Sequence, residues 1–134
     1  MKTIGIVILN YKTYKDTIRL VRDLNTFNVS SYLHIVVVDN ESPNESYDVL
    51  SNELAEYNNV DVIQSGENGG YAKGNNIGLR FLEKKNPDYA LILNNDVYFD
   101  EDILTKCVQM YDELDDVGII SPIQKKPNGE VAYL

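Results

Sequence analysis

The sequence predicts an α/β fold with a mostly parallel, doubly wound sheet, and three observations carry that expectation. Four short apolar runs rich in β-branched residues recur along the chain. Segments of helical period separate them. The apolar runs are continuous, as in strands buried on both faces.

The first strand is Ile4-Gly5-Ile6-Val7-Ile8-Leu9. A short secretory leader could have a similar composition. Here the run passes straight into Asn10-Tyr11-Lys12 without a small-residue cleavage site, so a strand is expected. Residues 13–24 place Tyr14, Ile18, Val21 and Leu24 on one helical side, and Thr13-Tyr14-Lys15-Asp16 resembles a capping box. His34-Ile35-Val36-Val37-Val38 is the second strand. Ser42-Pro43-Asn44-Glu45 then combines a capping serine, a first-turn proline and a glutamate three residues on. It starts a helix over 43–57 with Tyr47, Leu50 and Leu54 on one side.

Val60-Asp61-Val62-Ile63 is a weaker third strand. The helix expected over 71–84 carries Ile77, Phe81 and Leu82 and stops before Asn86-Pro87. Tyr89-Ala90-Leu91-Ile92-Leu93 is the fourth strand. A last helix over 101–114 carries Leu104, Val108 and Tyr111, capped by Asp100 or the turn before it. Val117-Gly118-Ile119-Ile120-Ser121 follows. After Pro122 the pattern becomes that of a hairpin, with Ile123-Gln124-Lys125 and Glu130-Val131-Ala132-Tyr133 flanking an Asn128-Gly129 turn. The alternation of strands and helices implies right-handed crossovers. One domain over residues 1–134 is expected. Leu134 falls inside the second hairpin arm, so the chain is expected to be a truncated piece of a longer protein.

Composition narrows the partners. A formal net charge of -9 argues against nucleic acid or an anionic membrane, both of which demand a basic surface. An anionic ligand would need a bound cation, a helix N-terminus or a few placed basic side chains to overcome that field. No stretch reaches the roughly 18 to 20 apolar residues that span a bilayer. The single cysteine, Cys107, excludes an internal disulfide and a cysteine-cluster metal site. Its neighbours Leu104, Val108 and Tyr111 point to a packed, inert thiol, and a reducing cytoplasmic setting is the default. An open sheet edge is expected to allow self-association into a homo-oligomer.

Ligands of open α/β sheets bind beyond the carboxyl ends of the parallel strands. Leu9, Asn10 and Tyr11 close the first strand, Asp39, Asn40 and Glu41 the second, Asn68, Gly69 and Gly70 follow the third, and Asn94, Asn95 and Asp96 the fourth. Structural readings stand beside each. Asp39 and Asn40 could form an Asx turn leading to Ser42, and Asn68-Gly69-Gly70 a tight turn with positive φ. The Asn94-Asn95-Asp96 stretch is harder to reduce to a turn, because three such residues are poor strand formers and the next helix begins several residues later.

Taken together, the loops suit a nucleotide diphosphate. A carboxylate at Asp39 can accept the imide N–H of uracil or thymine. Backbone at residues 9–11 completes a base pocket. Gly69 and Gly70 admit close backbone approach, the helix start offers free N–H groups, and Lys73 stands one turn in. Asp96, helped by Asn94, could hold Mg2+ or Mn2+. Neither a P-loop nor a G-x-G-x-x-G after the first strand is present, His34 lies at the far edge of the sheet, and no nucleophile elbow is present.

In order and spacing, Ile6-Val7-Ile8-Leu9-Asn10-Tyr11, Val36-Val37-Val38-Asp39-Asn40-Glu41-Ser42, Asn68-Gly69-Gly70-Tyr71-Ala72-Lys73-Gly74-Asn75-Asn76-Ile77-Gly78 and Leu91-Ile92-Leu93-Asn94-Asn95-Asp96 resemble the motifs of family 2 glycosyltransferases, closest to the rhamnosyltransferase-like group. The resemblance covers nearly the whole chain. It implies a Rossmann-like GT-A half ending in a hairpin, and transfer of a sugar from a UDP- or dTDP-linked donor to a saccharide acceptor with inversion. It implies that Asp39 reads the base, that Asn68, Gly69, Gly70, Lys73 and Asn75 line the donor, and that Asn94-Asn95-Asp96 stands where the family's metal-binding D-x-D lies. Asn94 in place of the first aspartate lowers the charge of that site. It further implies polysaccharide synthesis in the cytoplasm, at the inner face of the membrane. Inverting transfer needs a general base on the acceptor; the family carries it in a later region, and this chain presents none. The other readings are a non-catalytic nucleotide-binding or protein-interaction module and a sugar-nucleotidyltransferase. The latter usually needs a basic glycine-rich loop after the first strand, which Asn10-Tyr11-Lys12-Thr13 does not supply.

Overall fold

The computed structural model describes residues 2–29 and 32–132. Its elements run β1 (Ile4–Asn10), α1 (Tyr14–Leu24), β2 (Leu33–Asp39), α2 (Ser46–Glu53), β3 (Val60–Gln64), α3 (Tyr71–Glu83), β4 (Tyr89–Asn94) and α4 (Ile103–Glu113). The expected alternation is present, and all the strand pairings are parallel in the order β3-β2-β1-β4. The chain divides into two units, Met1–Tyr98 and Phe99–Leu134. The first holds the whole sheet. No helix among the described residues is long and apolar enough to cross a membrane.

The central strands explain their own composition. Ile6, Val7, Ile8, Ile35, Val36, Val37 and Val38 are fully buried, because β1 and β2 have a strand on each side and helices on both faces. β3 and β4 lie at the edges and are only partly covered. Ala90 and Ile92 of β4 are exposed.

From β1 through β3 the chain moves one way across the sheet, and from β3 to β4 it returns past β2 and β1. Right-handed crossovers therefore put α1 and α2 on one face and α3 on the other. α3 packs on β1 and β2 around Val7, Val36, Val38 and Leu82. The packing is close: a Cβ on Gly78 would stand 2.5 Å from Val7 Cγ1, and one on Gly74 2.5 Å from Leu9 Cδ1.

Several local expectations change. Thr13 precedes α1 but makes no side-chain cap. Its hydroxyl is taken by Asn95, 2.7 Å away. Ser42 does not start α2, because its hydroxyl is bound to Asp39 at 2.7 Å. Asn44 Oδ1 instead accepts Ser46 N at 3.2 Å, so the helix begins at Ser46. Asp102, not Asp100, caps α4, accepting Thr105 N at 3.1 Å.

In the second unit the expected hairpin shows, among the described residues, one isolated antiparallel bridge, Lys125 with Val131, around a turn with Gly129 at φ 86°. Tyr133 of the expected second arm and Leu134 lie outside the described residues. Cys107 is partly buried, and desolvation raises its thiol pKa, which fits the inert role expected for it.

Candidate functional site

The strand order places a topological switch point between β1 and β4, and the crevice at their carboxyl ends is where such sheets bind ligands. Parallel register fixes which residues meet there. Asn10 of β1 lies beside Asp39 of β2, and Leu9 beside Asn94 of β4. Side chains alternate faces along a strand. Asn10, Asp39 and Asn95 thus turn to the α1 and α2 side, and Leu9 and Asn94 to the α3 side.

On the first face the polar groups are buried and mutually satisfied. Asp39 is 0% exposed. Its Oδ1 accepts Asn10 Nδ2 at 2.9 Å and Ser42 Oγ at 2.7 Å, and its Oδ2 accepts Ser42 N at 3.0 Å. This is the Asx turn that the sequence allowed. Lys12 and Glu41, just past these two strand ends, both hold positive φ, at 66° and 56°. Positive φ in residues other than glycine is uncommon and concentrates where surrounding contacts enforce it. Lys12 N donates to Ser42 Oγ at 2.8 Å, which supplies one such contact. Tyr11 is exposed beside them, with Lys12 Nζ 4.9 Å from its ring centroid.

The loop after β3 shapes the other face. Asn68 Oδ1 accepts both Asn40 Nδ2 at 3.1 Å and Gly70 N at 3.2 Å. Gly70 precedes α3 with φ 89°, a conformation that glycine adopts without strain. Among the described residues no side chain caps α3, whose N-cap is Gly70. Gly69 has no positive φ; its lack of a side chain makes room for Lys73, whose Cδ would lie 2.2 Å from a Cβ there. Lys73 pairs with Glu67 and holds that carboxyl below the usual carboxylate range. Asn40 and Asn75 are both 3% exposed, and each has a buried side-chain oxygen without a partner among the described residues.

The turn after β4 splits between the faces. Asn94 Oδ1 accepts the Tyr71 hydroxyl at 2.8 Å. Asn95 Nδ2 is committed to Thr13 Oγ1 and to Thr17 Oγ1, at 2.7 and 3.1 Å. The Asn95 carbonyl accepts Arg19 at 3.2 Å, and the guanidinium lies 3.8 Å from the Tyr98 ring centroid. Asp96 is exposed.

Sequence reasoning missed Thr13, Thr17, Arg19 and Tyr71. Thr17 had a faint signal as a hydroxyl amid the apolar side of α1; the others had none. Elsewhere, His34 sits on Asp61 at 2.7 Å, away from these strand ends as expected. A shallow groove along α3 and β4, lined by Leu79, Leu82, Pro87 and Ala90, lies toward the opposite, amino edge and takes no part in the site.

This architecture, a parallel sheet with its polar loops gathered at a switch point, is that of the GT-A glycosyltransferase fold. The mannosyltransferase PcManGT of Pyrobaculum calidifontis, solved in complex with GDP-Man and Mn2+, superposes with a TM-score of 0.81 at 18% identity, covering 95% of this chain and 36% of that one. Staphylococcus aureus TarS 1-349 in complex with UDP gives 0.63 at 18% identity, covering 92% and 40%. The low-salt glycan biosynthesis hexosyltransferase Agl10 of Haloferax volcanii is 31% identical over 120 residues, 89% of this chain and 36% of that protein. The family model for glycosyl transferase family 2 matches residues 4–133, and the chain belongs to that family. It spans little more than a third of the length of these relatives.

Proposed function

We propose that this chain is the donor-binding part of an inverting, cation-assisted glycosyltransferase that moves a sugar from a UDP- or dTDP-linked donor to a saccharide hydroxyl. The observation that carries the reading is the convergence of Asn10, Asp39, the Asn68-Gly69-Gly70 loop and Asp96 on one sheet edge at the switch point. The bound GDP-Man, UDP and Mn2+ named for the structural relatives support it.

Each residue then has a task. Asp39 Oδ2 carries one protein hydrogen bond and retains a lone pair for a base N–H. Because Asp39 is closed over here, the adjoining residues 11–12 or 40–41 have to part for that contact. The Oδ1 atoms of Asn40 and Asn75, buried and without a partner among the described residues, accept from ribose hydroxyls once a similar opening uncovers them. The first turn of α3 donates backbone N–H groups to the diphosphate, and Lys73 leaves Glu67 to join them.

Asp96 and Asn94 fit a hard cation that draws its remaining ligands from phosphate and water. Asp96 offers an exposed carboxylate, and Asn94 Oδ1 keeps a lone pair after accepting Tyr71. Among the described residues no group of three His, Cys, Asp or Glu could hold a metal by itself. Mg2+ or Mn2+ there would offset the charge of the departing diphosphate. We assign no general base among these residues.

Calorimetric titration of UDP, dTDP and GDP, with and without Mn2+, tests the reading on this chain and on Asp96→Ala. Cation-dependent binding that the substitution reduces at least about tenfold is expected. Cation-independent binding that ignores the substitution would leave a nucleotide-binding module without this chemistry.

A further inference from the structure

Beneath the site runs an unbroken row of side-chain hydrogen bonds that the proposed chemistry does not use directly. It begins at Asn95, whose amide donates to Thr17 Oγ1 at 3.1 Å. Thr17 Oγ1 donates in turn to Asn10 Oδ1 at 2.8 Å. Asn10 Nδ2 donates to Asp39 Oδ1 at 2.9 Å, the oxygen that Ser42 Oγ also reaches at 2.7 Å. Thr17, Asn10 and Asp39 are all 0% exposed. The donors all point toward the carboxylate, so each bond polarises the next.

The row joins the two ends of the site. Asp39 stands at its base-facing end, and Asn95 anchors the turn that carries Asp96. A nucleoside diphosphate has a limited span, so a protein that grips its base and its phosphates together needs those grips held at a set separation. Thr17 is the link that both donates and accepts. It sits on α1 beside Ile18, Leu20 and Val21, where packing alone would favour an aliphatic residue.

We propose that Thr17 is a positioning residue that holds Asp39 and the Asn94-Asn95-Asp96 turn in fixed relation, so that nucleotide and cation bind as a coupled pair. The binding half of this statement rests on the proposed function; the positioning half does not.

The test compares Thr17→Val, which keeps the shape and loses the hydroxyl, with Thr17→Ser, which keeps the hydroxyl and loses a methyl. Hydrogen–deuterium exchange of the ligand-free chain should rise about tenfold at residues 39–42 and 94–97 together in the valine variant, with 71–83 unchanged. UDP affinity in the presence of Mn2+ should fall by about the same factor. The serine variant should restore both to within about twofold. Exchange that rises at one turn only, or at neither, overturns the proposal. So does a serine variant as impaired as valine, because the methyl group would then be what matters. A wild-type chain that binds no nucleotide refutes the proposed function and the coupling, and the exchange result still decides whether Thr17 positions the two turns.

Discussion

The ends of β1 and β2 and the end of β4 carry similar residues, yet they are built in opposite ways. Asn10 and Asp39 finish strands at the centre of the sheet, are fully buried, and make hydrogen bonds to each other and to their neighbours. Asn94 and Asp96 finish an edge strand and are exposed. Burial of a polar group without a partner is costly, so the central pair is satisfied by the protein itself. At the edge Asn94 Oδ1 accepts the Tyr71 hydroxyl, while the Asp96 carboxylate is open to solvent, as the proposed cation site requires. The central residues are held by the protein itself, whereas the Asp96 carboxylate is open to solvent. Asn95 joins the two, since its side chain reaches Thr17 while the next residue faces outward.

Substitutions sharpen that contrast. Asn10→Leu removes the donor to buried Asp39 and the acceptor for Thr17 while nearly preserving volume. It should cost about 3 kcal/mol in urea unfolding, the largest effect expected here. Gly78→Ala tests the packing beside the site. The new methyl would press on Val7 and Val38, and helix propensity recovers part of the loss, leaving about 1 to 2 kcal/mol of destabilisation.

Asp88 tests a polar cluster at the opposite edge. Thr3 donates to its carboxylate through N and Oγ1, at 2.8 and 3.0 Å, and with Lys2 nearby this holds the carboxyl below its ordinary value. A lowered folded pKa means that its contribution is present above the ordinary carboxylate range and is lost as pH falls through the folded value. Asp88→Asn should flatten the acid side of the melting-temperature profile and leave the ligand titrations unchanged. Asp96→Ala should alter thermal stability least, within about 0.5 kcal/mol of wild type, while carrying the loss of binding described above. A large destabilisation by that substitution would break the comparison, because it would make the edge turn as structural as the centre.

Most of the fold was legible in the sequence. The unbroken β-branched runs of β1 and β2 mark strands covered on both faces, and the 3.6-residue spacing in Ile18, Val21 and Leu24 marks a packed helix side. Period, burial and length are local properties, so residues in sequence carry them. Helix starts were less legible. Ser42 has the composition of a cap, but a serine hydroxyl goes to the strongest acceptor in reach, and the buried Asp39 outcompetes a helix end.

The sequence by itself determined the alternating α/β order and the set of polar strand ends from which the site is drawn. It marked Asn68-Gly69-Gly70 as a turn needing positive φ, and the structure gives that φ to Gly70 and not to Gly69. The tertiary structure decided the register that sets Asn10 beside Asp39 and the strand order that brings β4 to β1. It also turned Asn94 and Asn95 to opposite faces and made Thr17 a bridge. Those outcomes depend on groups distant in sequence, in some cases 78 residues apart or more, meeting across the sheet, and pairings at that range are fixed by packing and parallel hydrogen bonding.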